Sequence, residues 1–538
     1  MKLEQIAIPV HNRVLTDYWR EDADIHSFFT YPYEQASFRK RAEQIAGRDY
    51  KREALVKVIR SYMERFGVSE RAAKHLTELE AGAPAVVGGQ QAGIFTGPLY
   101  SVYKAITVIL LANEQRQALG MPVVPIFWIA GEDHDLDEIN HTFTIVDGNV
   151  KKRGYSKRSH KKTMASTTQI DHDEMERLIR TVFKDYGETV YTETLLTEVL
   201  NASRSSETFT DFFTTLMNRL FANYGLLMID AAYGPFRQYE SEYFERLVEK
   251  NEEIARAVTV QEGALEKAGY GKPIGATENN ANLFYVKEGE RFLLERQEGH
   301  FVNSSASLKL TREELLQTAQ NEPEKLSNNV VTRPLMQEMA LPVLAFVGGP
   351  GELAYWAALK PAFGLLDLEM PIFAPRLNIS VVSRKIQPLL ERHQLTFEKI
   401  VDGEATKEKE RFIASIQDEE ALAQVDAMEE ALSAQYETLS AHLNRNDLQL
   451  EHVVQKNRSY HNKQFAYLKQ KIKERTVERH NNVVLQFDLM NAELLPNGGL
   501  QERVYTPYQY LNQYGPSFVD DMMGLPLVVG PQHFLVKY

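Results

Sequence analysis

Two short stretches carry residue types that could do chemistry. Gln90 and Gln91 stand side by side after an apolar run, with Thr96 and Tyr100 just beyond. Glu132, Asp133, His134 and Asp135 stand in a row after a second apolar run. Paired amides hydrogen-bond a polar ligand. Carboxylates and an imidazole can hold an amine or take its proton. Asp230, Glu352, and Arg376 together with Asn378 follow three further apolar runs, and Arg333 lies just before one of them. Guanidinium geometry matches carboxylate or phosphate. Each role has a plain structural counterpart. His134 can be a satisfied structural histidine, and Arg376 a brace for the acidic row.

Elements must bring these groups together. Ala85–Val87 reads as a buried strand, followed by a loop with Gly88, Gly89, Gly93 and Gly97. Thr96 and Pro98 read as an N-cap and a first-turn proline. Leu99, Val102, Tyr103, Ile106, Ile109 and Leu110 then recur at helical spacing, and Gly120 is the stop. Val123–Ala130 is apolar throughout, as a strand buried on both faces should be. Pro125 is awkward there, so the strand is expected to start after it. The loop lacks Gly-Lys-Ser/Thr and GxGxxG, so it is neither a Walker A nor a dinucleotide fingerprint. Its glycines serve backbone freedom, or they bind phosphate or carboxylate at the helix N-terminus.

The unit recurs. Residues 225–231, 343–347 and 371–374 read as further buried strands, and Gly348, Gly349, Pro350 and Gly351 make a second glycine-rich turn. In a doubly wound sheet these strand ends share one edge, where ligands bind. The expected fold class is α/β: a Rossmann-like parallel-sheet core with inserted connecting segments. Residues 271–302 read as a small β insert, with turns at Glu288-Gly289 and Glu298-Gly299. Thr311 and Glu314 form a capping box.

Other stretches are read by composition. Residues 1–80 are expected to be mainly helical, with Ser69 capping one helix. Lys151 to Lys162 is a basic run, read as a solvated loop able to attract an anionic substrate. Residues 383–490 are charged and almost free of proline and glycine. Leu422, Val425, Leu432, Tyr436, Leu439 and Leu443 follow three-four spacing. Leu450, Val453, Phe465, Leu468 and Ile472 suggest a returning helix after a turn near 444–447. That is a long α-helical coiled-coil arm whose seam needs cover, so a homodimer is expected. The last stretch returns to the body, with LPLVVG as a closing strand. Its tyrosines pack, or else Tyr505 and Tyr508, with Asn491, form an adenine surface where arm and body meet.

At 538 residues the chain can bury a sizeable core and more than one domain. A net charge of -13 disfavours nucleic acid and acidic membranes as partners. The absence of cysteine excludes disulfides and a cysteine nucleophile, and points to the cytoplasm. No run approaches the roughly 18 apolar residues of a membrane span.

GGQQAGIFTGPLY, FWIAGEDHDLDEIN, NNVVTRPLMQE, LPVLAFVGGPGELAYW and PRLNIS together resemble the BshC family, the cysteine-adding enzyme of bacillithiol biosynthesis. The resemblance covers the whole chain. It implies a core over 1–382 with inserts near 139–222 and 265–325, an arm over 383–490, and a segment 491–538 returning to the core. It implies a dimer, and a ligase that joins L-cysteine to the amino group of glucosaminyl-malate. A free carboxylate must be activated for this, which ATP could do as an acyl-adenylate or an acyl-phosphate; which nucleotide product leaves stays open.

Asp133 or His134 would take the amine's proton. Gln90, Gln91, Thr96, Tyr100, Glu132 and Asp135 would bind substrate, with Asp230, Arg333, Glu352, Arg376 and Asn378. Gly88, Gly89 and Gly93 would meet the nucleotide. The core plan is also similar to class I aminoacyl-tRNA synthetases, which puts Ser383 and Arg384 where a mobile loop would approach it. The HIGH-type signature is missing, however. A divalent ion such as Mg on GEDHDLDE is left open. Two other readings stand beside the ligase: a nucleotide-sugar transferase-like Rossmann enzyme, and a non-catalytic assembly protein acting through its coiled coil.

Overall fold

A computed structural model describes residues 1–8, 12–20, 22–157 and 162–538. The chain divides into two compact units. The first comprises Met1–Thr144, Lys151–Val381 and Gly499–Tyr538; the second comprises Ile145–Val150 and Val382–Gly498. No described helix is long and apolar enough to cross a membrane.

The first unit is built on five parallel strands: β1 (Ala85–Gln90), β2 (Val124–Ile129), β3 (Leu227–Asp230), β4 (Val343–Gly348) and β5 (Ile372–Pro375). Their order is β5-β4-β1-β2-β3. The chain steps outward from β1 to β3, then returns to the other side of β1 for β4. Helix α1 (Leu99–Leu119) packs on β1, β2 and β4. All six residues of β2 are buried, which accounts for its unbroken apolar run.

Pro125 lies inside β2, contrary to expectation. Val124 N donates to Pro84 O on the β1 side, and pairing with β3 starts only at Ile126. The N–H that proline lacks would point to β3 before that ladder begins, so nothing is lost. Gly88 and Gly89 also differ from expectation: they belong to β1, not to a loop. A Cβ on Gly88 would lie 2.7 Å from Val108 Cγ2 of α1, and one on Gly89 only 2.3 Å from the Trp128 carbonyl oxygen. These glycines let a helix and a strand close in.

The helix start is shifted as well. Pro98 is the N-cap of α1, and Leu99 is its first residue. Phe95, Thr96 and Gly97 are successive left-handed residues, with φ of 52°, 67° and 69°. Gly120 ends the helix in the left-handed region, as read from sequence.

The β insert forms as predicted. Asn280–Lys287, Glu290–Gln297 and His300–Asn303 are antiparallel neighbours in a five-stranded sheet. The Thr311–Glu314 capping box is present, and so is the Ser69 cap. The chain termini were misread. Lys2–Ile6 is a strand, and it pairs antiparallel with His533–Lys537. That later strand, not LPLVVG, closes the fold. In LPLVVG the two prolines flanking a short run leave too little ladder. Of the basic run, 158–161 lie outside the described residues; Lys157 pairs with Asp171.

In the second unit, α2 (Glu419–Arg445) and α3 (Glu451–Arg479) form an antiparallel hairpin. Leu422, Val425 and Val454 are buried, while Met428, Leu439, Val453 and Leu468 are exposed.

Gly89→Ala is expected to cost about 2 kcal/mol or more, because strand backbone cannot yield as a flexible side chain does. A lowered unfolding midpoint in denaturant checks it; an unchanged midpoint contradicts the close approach.

Candidate active site

A cavity of about 400 Å³ opens where the strand order reverses, at the carboxyl ends of β1 and β4. Ligands in open α/β sheets bind at this switch point. β1 delivers Gly89 and Gln90, with Gln91 next; β2 delivers Trp128, then Ala130 and Asp133; the turn after β4 delivers Gly349 to Glu352. Tyr100, Lys104, Arg333, Tyr355, Arg376 and Arg503 complete the wall.

Hydrogen bonds fix most of these groups. Gln91 Nε2 donates to Asp133 Oδ2 at 2.7 Å and to Glu138 Oε2 at 2.8 Å. The Asp135 amide donates to Asp133 Oδ1 at 3.2 Å. Lys104 Nζ donates to the Gly89 carbonyl (2.7 Å), Gln90 Oε1 (3.1 Å) and Glu352 Oε2 (2.6 Å). Burial lowers the Lys104 pKa, against the pull of Glu352. Glu352 also accepts from the Gly349 amide at 2.8 Å, closing the turn after β4.

Four cations line the cavity: Lys104, Arg333, Arg376 and Arg503. Glu352 matches Lys104. Glu502 matches Arg376 through two bonds of 3.1 and 2.6 Å. Arg376 therefore braces Glu502 rather than the acidic row. Its guanidinium also lies 5.6 Å from the Tyr100 ring centroid. Arg333 donates to the Tyr355 hydroxyl at 2.6 Å and lies over Phe346. Among the described residues no carboxylate pairs with Arg333 or Arg503. Against Asp133 and Glu352 on the same wall, these four cations leave the lining with an excess of positive charge.

Several expected members are elsewhere. His134 and Asp135 line a second cavity. His134 Nδ1 faces Arg291 Nη1 at 3.4 Å, and its ring meets Phe284 edge-on. Burial, then Arg291, lowers its pKa, so the ring is neutral near pH 7. The Arg291 N–H donates to Nδ1, which leaves the ring's own proton on Nε2.

Glu132 is nearly buried, paired with Arg237, and accepts from Ser327 Oγ at 2.7 Å. Burial pushes its pKa up, but Arg237 and Arg291 outweigh that and hold it low. Asp230 accepts from Ser166 Oγ at 2.6 Å, and burial raises its pKa to about 6. Thr96 is fully buried, and neither it, Gly88, Gly93 nor Asn378 is among the cavity residues. Ser383, Arg384 and Asn491 belong to the second unit. Tyr505 and Tyr508 are buried, and Tyr508 packs against Phe95. Their rings are taken up by packing, so they offer no face to a base. Neighbours on a tight turn project apart, and the Glu132–Asp135 row does so. Among the described residues no group of three or more His, Asp or Glu converges to hold a metal.

Sequence reading missed Lys104, Glu502 and Arg503. Lys104 had a visible signal: it is the lone charge between Leu99 and Ala112 of α1. Glu502 and Arg503 had none, being more than a hundred residues from their neighbours in the fold.

Fold and site together define a Rossmann-like α/β protein with a helical coiled-coil hairpin and a cavity of net positive lining at its switch point. Residues 1–377 match the family model of the bacillithiol biosynthesis BshC N-terminal Rossmann-like domain, and 379–538 that of its C-terminal coiled-coil domain. A chain from Lysinibacillus sphaericus, named "Putative cysteine ligase BshC", is 52% identical over 536 residues, covering 100% of both chains. Chains of the same name from Geobacillus kaustophilus and Bacillus velezensis are 39% and 37% identical, covering 98% and 100% of both chains respectively. The chain belongs to the BshC family.

Glu502→Gln is expected to cost about 3–5 kcal/mol, since it strands a buried guanidinium. Denaturant unfolding checks it, alongside the double variant Arg376→Met/Glu502→Leu, which should lose less than either single change. A double variant as damaged as the sum contradicts the pairing.

Proposed function

We propose that the chain is a carbon–nitrogen ligase that joins the carboxyl group of L-cysteine to the amino group of glucosaminyl-malate. Full-length likeness to chains named cysteine ligases supports the reaction type. The observation that carries the reading is the pair of cations, Arg333 and Arg503, which no carboxylate among the described residues pairs, in a cavity that also holds Asp133.

A carboxylate does not condense with an amine unaided, because its oxygen is a poor leaving group. An adenine nucleotide, when bound, would supply the activation. The guanidinium groups fit phosphate or carboxylate oxygens alike. The residues expected to cradle a nucleotide do not gather, so no step is derived through one.

The chain's own groups have distinct tasks. Arg333 and Arg503 bind and orient the anionic group, helped by the fork geometry of guanidinium. Gln91 holds the Asp133 carboxylate in place. As the amine nitrogen bonds to the carboxyl carbon, one carbon–oxygen bond of that carboxyl group breaks and the surplus amine proton passes to Asp133. His134 is not the base on this account: Arg291 occupies Nδ1, and Nε2 is a donor. A homodimer through the arm is part of the proposal, supported by the exposed seam residues Met428, Leu439, Val453 and Leu468.

Product analysis with cysteine, ATP and glucosaminyl-malate should yield the amide; its absence overturns the reading. Asp133→Asn should lose about 10²–10⁴-fold in turnover, as removal of a general base does. His134→Gln, which keeps a donor, should stay within about tenfold of the unaltered chain. The reverse ranking contradicts the assignment of the base. Arg333→Ala should lower kcat/KM about 100-fold with the unfolding midpoint unchanged, since it removes a charged contact to the ligand and no buried pair.

A further inference from the structure

Most hydrogen-bond donors at the carboxyl end of β1 are already engaged. Lys104 is a buried cation on the second turn of α1. An ammonium has three N–H donors and no acceptor. All three are used, on the Gly89 carbonyl, Gln90 Oε1 and Glu352 Oε2. Lys104 therefore has no hydrogen left for a ligand, although it lines the cavity. Burial lowers its pKa, Glu352 opposes the fall, and the repulsion of Arg376 and Arg333 adds to it. Both guanidinium groups thus stand around the same corner as Lys104.

Gln91 is engaged too. Its amide nitrogen has two hydrogens, and they go to Asp133 Oδ2 and Glu138 Oε2. Carboxylates only accept, so the Gln91 nitrogen is committed to them. Gln90 is set in the opposite sense. Lys104 only donates, so the atom it meets is the amide oxygen, Oε1. The Gln90 nitrogen is turned the other way, and no acceptor among the described residues takes it. Its side chain is half-buried and lines the cavity. The two neighbouring glutamines serve opposite partners. Gln91 holds the Asp133 carboxylate, and the Gln90 nitrogen has both hydrogens to give.

Resting on the ligase reading, we propose that Gln90 Nε2 is a third donor to the ligand's carboxylate, beside Arg333 and Arg503, and that Lys104 is the positioning residue that aims it. Without Lys104 the amide has two orientations, and one of them offers the carboxylate an oxygen. Lys104 also ties β1 to the turn after β4, since Gly89 and Glu352 are among its acceptors. The donor is thereby fixed against both sides of the crevice before a ligand arrives. Glu352 matches the charge of Lys104, so the effect of Lys104 on the ligand passes through Gln90.

The test titrates the full chain by calorimetry with L-cysteine and with L-malate, the two carboxylate sources among the proposed reactants. Gln90→Leu removes the amide and leaves Lys104 two acceptors. The expected result is saturable binding of at least one probe, with its Kd raised about tenfold or more by Gln90→Leu, the worth of a hydrogen bond to a charged group. The probe that responds names the carboxylate. Lys104→Met should raise the same Kd about threefold to tenfold, and added to Gln90→Leu should raise it no more than about twofold further. Losses that multiply overturn the positioning role, because Lys104 would then act without Gln90. Gln90→Leu is decisive even if Lys104→Met does not fold. An amide turned the other way would repel the carboxylate, so its removal would leave Kd unchanged or lower it. That result overturns the proposal, and so does a lack of saturable binding by either probe. In turnover, KM for the responding substrate should rise by the same factor in Gln90→Leu, with kcat within about threefold. A fall in kcat at unchanged KM also overturns it. No amide product from the unaltered chain sinks the ligase reading, while the Kd comparison still judges Gln90 and Lys104.

Discussion

The reversal of strand order between β1 and β4 is the constraint on which the rest depends. Parallel strands leave a crevice only where the winding changes sides. The carboxyl ends of β1, β2 and β4 all open there, so residues from 89 to 503 reach a single wall. The reversal requires β1 to be covered closely on every side. Two glycines in β1 make that possible, by letting Val108 of α1 and the Trp128 carbonyl approach within distances no Cβ would allow.

Charge burial does the rest. Lys104 with Glu352, and Arg376 with Glu502, are ion pairs at the edge of the cavity. Their desolvation is costly, and such pairs add little net stability. What they provide is rigidity: each cation is held by several acceptors, so the cavity wall is set before a ligand arrives. Behind them Arg237 is shared between Glu132 and Glu240, with Ser327 closing on Glu132. That network anchors the turn after β2 from within. Asp133 and His134 are thereby left to face two different spaces. Arg333 stands apart, with a tyrosine hydroxyl and an aromatic face for company.

Much of this was legible in the sequence. The apolar runs gave β1 to β5 because strands buried on both faces cannot hide polar residues. The caps at Ser69 and Thr311 were local, and so was the β insert with its two glycine turns. The arm was legible by period. Legibility failed where distance in sequence had to be bridged. Glu132 looked like part of a catalytic row; only the fold shows that Arg237 has claimed it. Arg376 looked like a ligand group, yet its partner, Glu502, comes after the whole arm. Pro125 was judged by a rule about ladders, and the register that exempts it cannot be seen without β3. Gly88 and Gly89 looked like a phosphate loop because close packing and sharp turns both call for glycine.

The most direct measurement is a structure of the full chain with glucosaminyl-malate and cysteine bound. The account predicts a carboxylate between Arg333 and Arg503, with an amine nitrogen within hydrogen-bond reach of Asp133. Carboxylates bound away from the β1–β4 crevice, with Arg333 still on the Tyr355 hydroxyl, would contradict it.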